Sequence, residues 1–378
     1  MKYDIVQLGE ICELINGYAF KGKDFVEKGV PVIKIKNVKP NRVIVDNLSY
    51  VDSKTVVGKE QYIINEGDIL LTMTGNRFEG SPDSWVGKAA VFMEKGMYYL
   101  NQRLCKIIPN TDKINKNYLA YVLSSWDSQL YFIKRATSSG GQANISSVII
   151  KELEIPVPDM EIQDKIASLL YALDKKIRIN NKINHNLEQQ TQTIYCDMFI
   201  ANASPSWQTG HLSDLITVRY GKDHKKLADG VYPVYGSGGI MRYVERPLYD
   251  KESVLIPRKG TLNNVMYVNE PFWSVDTMFF TEMKLPNVAK FVFHFVKSKD
   301  LASLNAGSAV PSMTTDILNA MELSIPDTNA FTKFESIVDP MYRTMQQNTQ
   351  ESSKLTELRD SLLPRLMSGE LDVSKLDL

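Results

Sequence analysis

The 378-residue sequence is poor in cysteine, carries no net charge and lacks a long apolar run. Its three cysteines, Cys12, Cys105 and Cys196, stand far apart without a C-x-x-C pair, which argues against a disulfide framework or a zinc knuckle. A reducing compartment is expected. No stretch approaches the roughly 18 apolar residues of a membrane helix, and residues 1–20 hold Asp4, Glu10 and Glu13 where a signal peptide needs an apolar core. A cytoplasmic protein without membrane contact is therefore expected. Forty-four basic residues against 44 acidic ones do not describe a general nucleic-acid binder. Only residues 1–158 are mildly basic, with 20 Lys+Arg against 17 Asp+Glu. Phosphate neutralisation would have to come from local clusters or from partner subunits.

Catalytic constellations are also missing. There is no H-E-x-x-H and no G-x-S-x-G, and the histidines His185, His211, His224 and His294 lack metal-ligand spacing. Gly17 to Lys23 spells G-x-x-x-x-G-K, but Asp24 stands where a phosphate loop needs Ser or Thr for magnesium. Asp159, Glu161, Asp164 and Lys165 come closest to a nuclease cluster, yet they open a predicted helix, where acidic residues suit the dipole. The expectation is a non-catalytic chain with no metal and no cofactor.

What the sequence does contain is an internal repeat. The segment from Ser138 to Asp159 resembles that from Ala306 to Asp327 at a constant offset of 168, so that Glu154 falls on Glu322 and Pro158 on Pro326. Near the N-terminus, Leu8-Gly9-Glu10-Ile11 through Gly17 resembles Leu212-Ser213-Asp214-Leu215 through Gly221 at an offset of 204. The first copy thus has a net 36 more residues between these anchors. Between them both copies read as short strands broken by turns: 32–36, 68–72 and 89–93, then 253–256 and 265–268, with helices near 117–126 and 288–298.

After each Pro-Asp pair a long segment with helical periodicity begins. Ile166, Leu173, Asn180, Leu187 and Ile194 recur every seven residues, as do Phe334, Met341, Asn348, Leu355 and Leu362. Because 168 is a multiple of seven, Asn180 and Asn348 hold equivalent places in two apolar stripes. That pattern predicts a coiled-coil seam in which an Asn fixes register at some cost in stability. Segments 189–192 and 346–350, rich in Gln, Asn and Thr, should face outward, and Pro340 and Pro364 should kink or end the second helix. Two similar domains on antiparallel helices would form a calliper. A helix of about 38 residues spans roughly 55 Å, or one to one and a half turns of duplex DNA at about 34–36 Å per turn. Such a molecule would read two different half-sites across an unread gap.

The stretch Ile155-Pro156-Val157-Pro158, with Glu161-Ile162-Gln163-Asp164-Lys165-Ile166-Ala167 and Leu173-Asp174-Lys175-Lys176-Ile177 after it, resembles the central spacer of type I restriction–modification specificity (S) subunits. Leu358 to Leu371, with its Leu-Pro-basic and Ser-Gly-Glu elements, resembles that family's C-terminal signature. The likeness covers nearly the whole chain and is sharpest in the helices. Asn329-Ala330-Phe331-Thr332-Lys333 departs from it, standing where the family usually has a Glu-Gln pair. The resemblance implies an α+β fold of two pseudo-repeated mixed α/β target-recognition domains joined by two long antiparallel coiled-coil helices. The corresponding divisions are 1–158, 159–200, 201–326 and 327–378. It implies as partners double-stranded DNA, two methyltransferase (M) subunits and, for cleavage, two restriction-translocation (R) subunits. Methyl transfer belongs to a partner, since an Asn-Pro-Pro-type motif is absent here. The competing reading, favoured by the neutral charge, is a coiled-coil scaffold with two protein-binding heads and no DNA.

For base reading the best candidates are polar and basic side chains beside glycine at matched places in both copies. The first choice is Thr74, Asn76 and Arg77 in one copy and Arg258, Lys259, Thr261, Asn263 and Asn264 in the other, against a plain solvated hairpin tip. The second is Ser139, Gln142 and Asn144 with Ser308 and Ser312, against a turn that supports the domain–helix junction. The third is Lys34, Lys36 and Asn37 with Tyr235 and Ser237, for which an ordinary edge strand is the competing explanation.

Overall fold

The computed structural model describes residues 3–139, 141–304 and 312–374. Contacts group the chain into two units, Met1–Ile179 with Glu351–Leu378 and Asn180–Gln350.

The first unit is organised by strand Ile69–Thr72, fully buried and apolar but for Thr72. A strand turns alternate side chains to opposite faces, so this one feeds two cores. Ile69 and Leu71, with Cys105 and Ile107, pack on Tyr118, Leu119, Val122 and Leu123 of helix α1 (Lys116–Ser124). Leu70, with Phe92 and Leu104, packs toward Ile33, Ile64 and Leu100. Its antiparallel sheet runs Ala89–Val91, Ile69–Thr72, Leu104–Pro109, Cys12–Asn16. A second sheet places Val30–Ile33 parallel to Tyr98–Leu100. Asp4–Gln7 pairs with Glu154–Val157 and ties the start of the unit to the entry of the long helix α3 (Met160–Cys196). Between them α1 is followed by a second helix, α2 (Trp126–Arg135).

The second unit repeats this plan. Its four-stranded sheet runs Met266–Val268, Ser253–Pro257, Met278–Met283, Ile216–Tyr220. Strand Asp229–Gly236 lies parallel to Trp273–Ser274, and Gln208–His211 pairs with Glu322–Ile325. Helix α4 (Ala289–Lys297) takes the place of α1, and α5 (Thr328–Met367) follows as α3 does in the first unit. The anchors Gly17 and Gly221 explain why both copies keep glycine there. A Cβ on Gly17 would fall 2.0 Å from the Asn101 carbonyl oxygen, and one on Gly221 2.0 Å from that of Val275.

The predicted helices near 117–126 and 288–298 are α1 and α4. The expected strand 32–36 is corrected. Val30–Ile33 is a central strand, not an edge, and it gives way to the 3-10 turn Ile35–Asn37. Asn37 forces this: its side chain accepts from the Lys34 N–H at 3.0 Å and donates to Ile44 O at 3.0 Å. Neither proline ends the second helix, since α5 runs through both Pro340 and Pro364. Each lies on the exposed side, where water can hydrate the carbonyl freed by the missing N–H, while Phe334 and Val338 keep the inner face buried. The helix ends at Gly369, whose φ of +74° suits a glycine C-terminal stop.

Within each unit the segments of the two long helices run antiparallel. In the first, Lys176 pairs with Glu351 at 3.2 Å and Asp174 with Arg359 at 2.8 Å. In the second, Asn180 Nδ2 donates to Asn348 O at 3.4 Å and Asn184 Nδ2 to Met345 O at 3.1 Å, and Asn348 Nδ2 donates to Asn184 Oδ1 at 2.8 Å. Of the seam positions, Ile166, Asn180 and Phe334 are buried, while Leu173, Leu187, Ile194, Met341, Asn348, Leu355 and Leu362 are half-buried. Near the domains the buried face broadens to Thr191, Tyr195 and Phe199 and to Phe331, Phe334 and Val338. Thr191, expected outside, is therefore inside, and Phe331 fills the core where the family pattern was broken.

Each unit also ties its domain helix to both long helices through one three-residue link. In the first, the Tyr121 hydroxyl donates to Asp174 at 2.7 Å and Arg359 donates to the same carboxylate at 2.8 Å. In the second, His294 accepts from the Tyr342 hydroxyl of α5 at 3.0 Å and is bonded to Gln192 of α3. Asp174 and Tyr342 are 168 residues apart. The chemistry has changed from charged to neutral: burial, helped by Lys297, holds the His294 pKa down to about 3. Gln192 Oε1 accepts from His294 Nδ1 at 2.8 Å, leaving Nε2 as the acceptor.

Candidate nucleic-acid interface

In the first unit the chain leaving strand Ile69–Thr72 bends at Thr74–Gly75 and pairs antiparallel with Gln142–Asn144, Thr74 facing Asn144. The Met73 N–H donates to Arg103 O at 2.9 Å, and Ile145 N–H donates to Met73 O at 2.9 Å. The second unit builds the same corner. Lys259 bridges Ser312, Arg258 N–H donates to Thr277 O at 2.9 Å, and Met313 N–H donates to Arg258 O at 2.9 Å. Asn144 and Ser312 keep the 168-residue offset, and Thr74 and Lys259 hold equivalent places. The first- and second-choice loops, distant in sequence, are thus side by side in both units.

The residues at these corners differ in what they offer. Thr74 is 3% exposed and its hydroxyl donates to Asn144 Oδ1 at 2.8 Å, while Asn144 Nδ2 donates to Gln142 O at 3.2 Å. Both are committed to holding the corner, whereas Gln142 is exposed beside them. Ser139 faces Gln142 in the adjoining hairpin, and Ser308 lies outside the described residues. Asn76 Nδ2 donates to Ser84 Oγ at 3.1 Å. Arg77 turns inward: it donates to Ala136 O, and its buried Nε has no hydrogen-bond partner among the described residues.

In the second unit Asn263 is tied to Asp300 and to the Ala302 N–H, each at 3.0 Å. Asn264 Nδ2 donates to Ser237 O at 2.8 Å, which brings the third-choice hairpin into the corner. Gly260, at φ +84°, packs on the same serine, and a Cβ there would lie 2.7 Å from Ser237 Oγ. Tyr235 donates to Glu270 at 3.0 Å, and burial together with that carboxylate pushes its phenol well above the ordinary range. Lys259 and Thr261 are exposed, and the Arg258 guanidinium lies 5.5 Å from the centre of the Tyr220 ring while donating to Asp276 O at 3.1 Å.

Lys34, Lys36 and Asn37 do not join the first unit's corner through any hydrogen bond among the described residues. Lys34 Nζ sits 3.6 Å over the Phe25 ring, its pKa lowered by burial and by Lys36, and Lys36 donates to Asn47 O at 2.7 Å. Two features were missed by sequence reasoning. One is Arg103, whose Nη1 lies 3.3 Å from Thr74 Oγ1 and 3.2 Å from Asn144 Oδ1. The other is the exposed run Lys222, Lys225 and Lys226 beside the Gly221 anchor, fixed by the Lys222 N–H on Ser274 O at 2.8 Å. Its position after a repeat anchor was the available signal. Exposed Arg, Lys and amide groups on a rigid backbone corner can donate to phosphates or base edges. Among the described residues no group of His, Cys, Asp or Glu side chains could hold a metal, and no helix is long and apolar enough to cross a membrane.

The chain is similar in sequence and fold to known proteins. The family described as "Type I restriction modification DNA specificity domain" matches residues 1–189 and 205–357. The MjaIX specificity subunit of Methanocaldococcus jannaschii is 23% identical over 99% of this chain and 94% of its own length. The MjaVIII specificity subunit of the same organism is 27% identical over 51% of this chain, a stretch that spans only 44% of that relative. A crystal structure of a type I restriction–modification S subunit from M. genitalium superposes with a TM-score of 0.61 at 17% identity, covering 99% of this chain and 97% of that one, and so shares the fold.

Proposed function

This chain belongs to the type I restriction–modification DNA specificity family, and we propose that it is the DNA-reading, non-catalytic subunit of such a complex. Each unit reads one short half-site in double-stranded DNA, and the long helices set the unread gap between the halves. The domain divisions are 1–158 and 201–326 for the readers and 159–200 and 327–378 for the spacers. Methyltransferase subunits bind the chain and perform the chemistry on the target base, and restriction-translocation subunits join them for cleavage. The single observation that carries this reading is the corner built twice, in which loops far apart in sequence meet on equivalent backbone bonds with different side chains. The repeated frame supports two readers of one kind, and the divergent side chains support an asymmetric site.

The test is methylation mapping of host DNA with this chain and its cognate methyltransferase, and with the methyltransferase alone. A bipartite asymmetric motif that appears only with the chain is the expected outcome. Methylation independent of the chain, or a continuous palindromic motif, would refute the reading.

A further inference from the structure

Arg103 occupies the tight turn between strands Tyr98–Leu100 and Leu104–Pro109, closed by the Leu104 N–H on Asn101 O at 2.9 Å. Its backbone carbonyl holds the recognition corner through Met73, and its side chain is exposed. Nη1 is seated on the Thr74 hydroxyl and the Asn144 amide oxygen, two groups that also bond each other. That seating orients the planar guanidinium before any ligand arrives, while Nε–H and the Nη2 hydrogens keep no hydrogen-bond partner among the described residues. A preorganised fork with two spare donors matches the paired O6 and N7 acceptors of a guanine edge. Arg77, the other arginine near this corner, is spent on Ala136 O. In the second unit the backbone pair equivalent to Met73 and Arg103 is Arg258 and Thr277. Each unit therefore has one arginine on this pair, carried by opposite strands.

We propose that Arg103 is the arginine with which the first unit reads a guanine of its half-site in the major groove, the part that Arg258 plays from the facing strand in the second unit. This rests on the reading of the chain as a DNA-specificity subunit. Thr74 and Asn144 are positioning residues that hold the fork.

The test uses the full chain with its methyltransferase, reads the methylated motif genome-wide, and compares Arg103→Ala, Arg103→Lys, Arg77→Ala and Arg258→Ala, with melting curves for each purified complex. Arg103→Ala should make one position of the first half-site degenerate and lower methylation of the original motif on the order of 10–100-fold, with the second half-site unchanged. Arg103→Lys should restore the motif only in part, because an ammonium lacks the planar fork that Thr74 and Asn144 hold in place. Arg258→Ala should relax the second half-site only. Arg77→Ala should lower the melting temperature and leave the motif unaltered. An unchanged motif in Arg103→Ala, a full rescue by lysine, which would show that no seated fork is needed, or a base relaxed by Arg77→Ala would each overturn the proposal. A wild-type complex with no bipartite motif would instead bring down the underlying reading, and this inference with it.

Discussion

Replacing Lys290 with methionine should destabilise the second unit by an amount that depends on pH. Lys290 is 1% exposed, and its ammonium lies 3.2 Å from Glu252, 2.5 Å from Glu335 and 3.2 Å from Asp339, joining the domain to α5. Methionine fills the same volume but leaves three carboxylates around an apolar side chain. Breaking a buried ion pair typically costs about 3–5 kcal/mol. The carboxylates are 19–29% exposed, which places the loss near the low end, at about 3 kcal/mol. For a unit of this size that corresponds to a fall of roughly 6–12 °C in melting temperature. The sign with pH follows from Glu335, whose pKa is already raised by burial even with the ammonium present. A carboxyl with a raised folded-state pKa favours the folded state most below its unfolded value, and that support is lost as pH rises through the folded value. Without Lys290 the shift grows, so the deficit of the variant should be largest at pH 7 and above and should shrink as pH falls toward the ordinary carboxylate range. Calorimetry of wild type, Lys290→Met and Lys290→Arg from pH 7 to pH 5 checks this. A Lys290→Met transition within about 2 °C of wild type at pH 7, or a deficit that grows on acidification, would refute the reasoning.

Two further outcomes follow from close packing and burial. Gly17→Ala and Gly221→Ala should each lower stability by about 2–4 kcal/mol, since the new Cβ would meet a backbone carbonyl at 2.0 Å and no side chain can yield; urea titration of each variant measures it. Among the thiols, burial pushes Cys12 and Cys105 up to about 12, so a colourimetric thiol reagent at pH 8 should modify at most the half-buried Cys196 in the folded chain and all three in denaturant. Rapid modification of two or more in the native state would contradict the burial described.

The repeat was legible in the sequence because its anchors have tasks that few residues can perform. Gly17 and Gly221 allow a backbone to approach, Pro158 and Pro326 precede helix caps, and the 168-residue offset preserves helix phase. The corner was legible only in part. Its loops were visible as polar turns, but their meeting depends on strand pairings such as Thr74 with Asn144, which sequence spacing does not encode. Arg103 carried no signal, because its partners lie 29 and 41 residues away and it sits between apolar strands. Asn37 shows the opposite difficulty: a polar residue after an apolar strand can serve the backbone, as it does, as readily as it can serve a ligand. Thr191 and Phe331 show that a seven-residue period describes the helices less well beside the second domain, where the end of α3 and the start of α5 both pack on its core.

The central claim is that each unit reads its own half of one site. Exchanging residues 1–158 for those of a relative with a different motif, then mapping methylation with the same methyltransferase, tests it most directly. The account predicts a new first half-site, an unchanged second half-site and the same gap. A change in both halves, or in neither, would contradict it.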